Sequence, residues 1–265
     1  ALGEVYWNYY NQNRWKFSRR SQTKDVKSKD FSAWDPKTLR DTARSYYLAA
    51  LSEEKALQSA NVSNYELLLE SNKESAHYRP TFYDILTHKT IEFLQQSQAM
   101  STEAAPEVND KEILASLPSF LSATTLTTST TAQNALGVGN NNYLILSLYQ
   151  KILAFHQKDK EPTALIDADI LRLQFARTVS ANEDKDSLYM NALMTRMNVH
   201  STDSSMTLIA FAIAQELVNQ DKPEEAMQYC ERAIKQFPNS HGAKNCEALK
   251  AQILRKELSV AVEKT

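Results

Sequence analysis

Glycine and proline are scarce in this chain, four and seven among 265 residues. Without turn formers the tight hairpins of a β sandwich or barrel are hard to build, so long helices are expected. An excess of one charge is missing too. Lys and Arg number 30 against 32 Asp and Glu, a net charge of −2, which removes the basic field that nucleic-acid or anionic-membrane binding needs. No apolar run nears the roughly 20 residues that span a bilayer. Two cysteines are too few for a disulfide framework and set no redox compartment. Motifs that carry chemistry are absent as well: no nucleophile elbow, HExxH pair or CxxC occurs. Gly137-Val138-Gly139 lacks a preceding strand and a third glycine, so no nucleotide or other cofactor is expected.

What is present is helical periodicity, clearest from Ser204 to Glu257. Leu208, Phe211, Ala212, Gln215 and Val218 recur at helical spacing, with Ala210 and Ala214 small enough for a neighbouring helix to approach. A polar turn, 219–222, leads to Pro223, tolerated in a first helical turn. A second run carries Ala226, Tyr229, Cys230, Ala233, Ile234 and Phe237, and after Pro238-Asn239-Ser240 a third carries Ala243, Cys246, Leu249 and Ile253. Helix, tight turn, helix, aromatic-Pro, helix is the pattern of tetratricopeptide-type repeats. Sliding the chain by about 36 residues, near the 34 of that repeat, superposes Phe175 on Phe211, Ala176 on Ala212, Leu193 on Tyr229 and Met197 on Ala233.

The remainder divides accordingly. Residues 1–115 read as an N-terminal helical region. Asp35 and Pro36 open one helix, expected to run to about Ala56, and Arg79-Pro80-Thr81 opens another. Residues 116–142, rich in Ser and Thr, read as an irregular functional loop or linker. Residues 143–257 hold the repeats. Leu258, Val260 and Val262 then alternate, so 258–265 reads as the start of a strand and of a downstream β domain. The expected class is all-α, with antiparallel hairpins stacked into an α-solenoid. The chain opens on Ala-Leu-Gly-Glu with no signal-peptide pattern and reads as an excised or processed piece.

Three groups of residues invite a functional reading. Tyr10, Trp7 and Trp15 lie in the aromatic opening YWNYYNQNRWKF, followed by basic residues. They read as a stacking surface for sugars or, more plainly, as a helix packed by its aromatic stripe. Cys230 and Cys246 sit on successive helices of one repeat, where buried free thiols are favoured over a disulfide. With His241 they are also the nearest approach to a metal set, though widely spaced. Asp167 and Asp169, two apart on a helix, diverge and read as structural or solvated.

Several stretches taken in order resemble the N-terminal helical region of bacterial alpha-2-macroglobulin-like proteins of the large Bacteroidetes type. They are YWNYYNQNRWKF, AWDPKTLRDTARSYYLAAL, YRPTFYDILTHKTIEFL, LIDADILRLQFA and YCERAIKQFPNSHGAKNCEALKAQI before LSVAVEK. The resemblance implies an envelope parent, periplasmic or outer-membrane-associated, with macroglobulin-like β domains downstream and a role in trapping or inhibiting proteases. The family's Cys-x-Glu-Gln thioester is absent: Cys230 precedes Glu-Arg-Ala and Cys246 precedes Glu-Ala-Leu. No functional residue carries over. The expectation is a non-catalytic module docking a protein partner or neighbouring macroglobulin-like domains, without nucleic acid and without inserting into the membrane. Glycan binding through the aromatic helix is the alternative.

Overall fold

The computed structural model describes residues 2–17, 29–65, 75–100, 107–124, 126 and 141–263, without the side chains of Ser75 and 256–263. The chain is all-α: among the described residues the only pairings of strand type are isolated bridges, Asn61 with Thr81 and Val108 with Ser180. Two compact units divide it. One comprises Ala1–Ser71 with Arg79–Ala105, the other Asn72–Tyr78 with Pro106–Thr265. The break expected after residue 115 therefore lies earlier. Val108, Ile113 and Leu114 are buried, and the Val108 amide donates to Val179 O at 2.8 Å, which ties this stretch to the second unit.

In the first unit, α1 (Leu2–Gln12) is followed by the single turn α2 (Arg14–Phe17). Next come α3 (Pro36–Ala49), the short α4 (Glu54–Ser59) and, after α5 of the other unit (Ser75–Tyr78), the long α6 (Phe82–Ala99). Asp35 caps α3 by accepting from the Thr38 amide at 2.9 Å, with Pro36 in the first turn. The helix ends at Ala49 rather than continuing to Ala56, and a turn separates it from α4. Thr81 and Asp84 form a reciprocal capping box at the start of α6, satisfying amides that a helix start leaves open. Helix α1 packs on α3, and α3 on α6. Gly3 permits the first contact: a Cβ there would stand 2.9 Å from Tyr47 Cδ2 and 3.2 Å from Ala43 O. The core is aromatic. Trp7 stacks on Tyr10, meets Phe93 edge-on at 5.0 Å, and donates to Gln96 Oε1 at 3.2 Å.

After α5, the second unit continues with a 3-10 turn (Lys111–Leu114) and α7 (Leu117–Ser122). The stretch expected to be irregular thus opens as a helix. Pro118 stands in its first turn, Phe120 and Leu126 are fully buried, and Gln150 Nε2 donates to the carbonyls of Phe120, Leu121 and Ala123. Residues 125 and 127–140 fall outside the described part. Then follow α8 (Asn141–His156), α9 (Thr163–Val179), α10 (Lys185–Val199), α11 (Met206–Asn219), α12 (Pro223–Gln236) and α13 (His241–Glu263). Each packs on its predecessor, and α11 also meets α9 and α13.

Two local features set the last helices. Asp221 adopts φ 59°, and the Lys222 amide reaches back to Leu217 O at 2.9 Å while that of Asp221 reaches Val218 O. This is a Schellman termination with Asp where Gly is usual. Gly242 lies against the start of α11: a Cβ there would come within 2.4 Å of the Thr207 carbonyl carbon. Finally, the strand expected at 258–265 does not occur among its described residues, because α13 continues to Glu263. No glycine or proline interrupts 243–263, so nothing local ends the helix.

Candidate functional site

The second unit holds its helices in register through a buried ionic network. Asp169 on α9 accepts from Arg172 Nε at 3.0 Å and Nη2 at 2.5 Å, and from Arg196 Nε of α10 at 2.6 Å. Arg172, buried like Asp169, also donates to Ile113 O at 2.8 Å and Ala115 O at 3.2 Å, and its guanidinium lies 4.5 Å from the Phe120 ring centre. Burial opposes ionisation of Asp169, but the charges and hydrogen bonds of the two arginines together outweigh it and hold the carboxyl below its ordinary value. Of the two readings left open for Asp169, structural or solvated, burial and its two arginine partners favour the structural one.

One turn further along α9, Arg177 spans three helices. Nη1 and Nη2 reach Glu216 of α11 at 2.5 and 3.0 Å, and Nε reaches Asp186 of α10 at 2.6 Å. Its guanidinium sits 5.1 Å from the Tyr189 ring centre. Glu216, only 3 % exposed, takes a further bond from Gln220 Nε2 at 3.0 Å. Burial would weaken the Arg177 charge, yet the bonds to Glu216 and Asp186 raise its pKa above the usual arginine value. A forked arginine that bonds two carboxylates on two other helices is a rigid brace.

Above this brace opens a cleft of about 470 Å³ between α9, α10 and α11. Gln174 and Thr178 of α9 line one wall, Gln215 and Asn219 of α11 the other, with Tyr189 between them. Each wall thus carries polar side chains four residues apart. Amides both donate and accept, and hydroxyls do the same. Arg177, Lys185, Asp186 and Glu216 line it as well, two cations beside two anions, so the cleft carries no field of one sign.

The residues singled out from the sequence fare differently. Trp7 and Tyr10 are 5 % and 7 % exposed and belong to the core of the first unit, whereas Trp15 is 71 % exposed. The three do not form a stacking surface. Trp7 and Tyr10 are drawn inward by Phe93 and Phe17, and Lys16 lies over the Trp15 ring at 5.3 Å. Cys230 and Cys246 are fully buried free thiols. Among the described residues no group of His, Cys, Asp and Glu is placed to hold a metal. His241 turns instead to Asn245 at 3.2 Å and to the Tyr78 ring.

A Ser-His-Asp grouping does occur, at Ser205, Asp203 and His200. Asp203 stands in the middle, taking the Ser205 hydroxyl on Oδ1 and facing His200 Nδ1 at 3.1 Å with Oδ2. In a nucleophilic triad the histidine must sit between serine and acid to take the proton. Here it does not. The second hollow, about 240 Å³ around Ser240 and Thr207, is where the Ser240 hydroxyl accepts from the Ala243 amide at 3.2 Å and donates to Thr207 Oγ1 at 3.0 Å. The Ser240 hydroxyl is thus engaged in starting α13.

Sequence reading passed over the Arg177–Glu216 brace. The available signal was Glu216 itself, a carboxylate in the apolar run IAFAIAQELV, since a buried acid requires a partner. Among the described residues no helix is long and apolar enough to cross a membrane. Comparison with protein families, curated proteins and solved structures finds no match to the chain.

Proposed function

We propose that the chain is a non-catalytic helical module that docks an extended, uncharged polar segment of a protein partner in the cleft between α9, α10 and α11. The observation that carries this is the pair of polar walls. Four residues of helix advance about 6 Å, and two residues of extended chain advance about 6.6 Å. Gln174 with Thr178, and Gln215 with Asn219, thus repeat at nearly the spacing at which a strand presents successive backbone groups on one side. The rigid brace below them keeps the walls apart without filling the cleft, which lowers the ordering cost of binding.

The succession α9–α10, α11–α12 and α13 supports a tetratricopeptide-like solenoid, an architecture whose stacked hairpins serve as docking surfaces. The resemblance to alpha-2-macroglobulin-like proteins supports an envelope parent in which this module holds a partner, or the parent's own β domains, near a protease-trapping apparatus. The misordered Ser205, Asp203 and His200 support the non-catalytic reading.

The test is peptide display. A random library is selected on the immobilised chain and on a Gln215→Ala/Asn219→Ala variant, and recovered peptides are measured by fluorescence anisotropy. Uncharged polar peptides should bind wild type at least 10-fold more tightly than the variant, since each lost hydrogen bond is worth about 0.5–1.5 kcal/mol. Equal recovery on both proteins would overturn the cleft as the docking site.

A further inference from the structure

The hollow beside Ser240 holds polar groups that the fold leaves unused. The entries to α9, α11 and α13 meet there, and α5, packed on α9, adds His77 and Tyr78. Gly242 brings two of these entries together, because the missing Cβ lets α13 begin directly on Thr207. Ser240 and Thr207 are bonded to each other at 3.0 Å, and Thr207 donates to Ser204 O at 2.7 Å. Glu161, Thr163, Ser204, Asn239 and His77 differ. All five line the same hollow of about 240 Å³. Yet among the described residues none of their side chains makes a hydrogen bond or ion pair within the chain. At α9 and α11 no side chain caps the helix, so Thr163 and Ser204 keep their hydroxyls. His241 engages one ring nitrogen with Asn245 at 3.2 Å and keeps a second.

The balance of donors and acceptors selects the ligand. The Glu161 carboxylate only accepts, whereas the Asn239 amide, the hydroxyls and a neutral imidazole both donate and accept. Among the described residues no lysine or arginine lines the hollow, so an anion would meet Glu161 uncompensated. A simple cation offers donors alone and would leave the Asn239 N–H groups unmatched. A ligand of several hydroxyls suits both kinds of group. Tyr78 and His241, with ring centres 5.6 Å apart at 66°, add flat ring surface on which the C–H face of a sugar packs. The volume lies below the roughly 300–1,000 Å³ of drug-sized sites and fits a single ring. We propose that this hollow binds one neutral sugar ring, with one hydroxyl donating to Glu161 and another accepting from Asn239 Nδ2. The ring is either a free monosaccharide or the end of a glycan, since both present the same hydroxyls.

The experiment titrates the full chain with methyl glycosides of glucose, galactose, mannose and N-acetylglucosamine, with acetate and methyl phosphate as anionic controls. Binding is read from the imidazole NMR signals of His77 and His241. At least one glycoside should shift both signals along one saturating curve. Glu161→Ala and Asn239→Ala alter exposed residues outside the helices, so each should keep the wild-type melting temperature. Each should also weaken binding at least about 5-fold, for the hydrogen bonds lost. The cleft variant Gln215→Ala/Asn219→Ala should bind the sugar like wild type. Oligosaccharides ending in the preferred sugar decide the source: tighter binding than the glycoside identifies a glycan end, and equal or weaker binding a free sugar. The proposal is overturned if no glycoside binds with a Kd below about 20 mM, if the anions bind more tightly than every sugar, or if both single variants bind like wild type.

Discussion

Replacing Asp169 by Ala removes the acceptor that the buried Arg172 and the partly exposed Arg196 share. Arg172 would keep its bonds to Ile113 O and Ala115 O but lose its counter-charge, and Arg196 would lose the bond at 2.6 Å. Breaking a buried pair by removing one partner costs about 3–5 kcal/mol, because the remaining charge stays desolvated. Against a total stability of about 5–15 kcal/mol, that is a large share. Urea unfolding followed by far-UV circular dichroism reads it directly, as a lower midpoint with little change in slope. A companion, Asp169→Leu/Arg172→Met, tests the cause. Apolar replacement of both charges should recover part of the loss, short of wild type because the carbonyls of Ile113 and Ala115 then lack their donor. The pH dependence follows in sign. Asp169 has a folded pKa below its unfolded value, near about 3.9, so its contribution is complete above that value. It disappears as pH falls through the folded pKa. Wild type should therefore lose stability on acidification below about pH 4 more steeply than Asp169→Ala. A single mutant within about 1 kcal/mol of wild type would refute a buried charge dependent on its partner.

Two further substitutions probe backbone geometry. Gly242→Ala should cost about 1–3 kcal/mol in thermal unfolding, because its methyl would meet backbone atoms of Thr207 and Leu208 at 2.4 and 2.6 Å; a change below about 0.5 kcal/mol would mean that α13 separates freely from α11. Asp221→Gly should stabilise by about 0.5–1 kcal/mol, since the left-handed φ of 59° penalises a residue with a Cβ. A loss on that substitution would show that the Asp221 side chain contributes more than its backbone costs.

How much of this was legible beforehand depends on how far apart the interacting residues lie. Asp35 with Thr38, and Thr81 with Asp84, are neighbours along the chain; Asp35 was readable as a cap and Arg79-Pro80-Thr81 as a helix start. The aromatic stripe of α1 was readable as a helix face, and Cys230 and Cys246 were readable as buried free thiols on successive helices. By contrast, Arg177 and Glu216 are 39 positions apart, and no periodicity connects them. The arrest of α3 at Ala49 was likewise missed, because the alanines and leucine that follow continue the helical pattern.

The sequence by itself determined that the chain would be all-α. Scarce glycine and proline leave helix propagation uninterrupted, and apolar residues repeat at the helical period. It also determined where several helices begin, because caps are built from adjacent residues. Tertiary structure alone decided which side chains are covered. Trp7 and Trp15 lie in one aromatic segment, yet Trp7 faces Phe93 of α6 and Trp15 faces solvent. It also decided that Asp169 has a structural role, that residues 106–115 belong with the second unit, and that α9, α10 and α11 enclose a cleft. Burial and charge pairing are properties of the space between helices, and that space exists only once distant segments have packed.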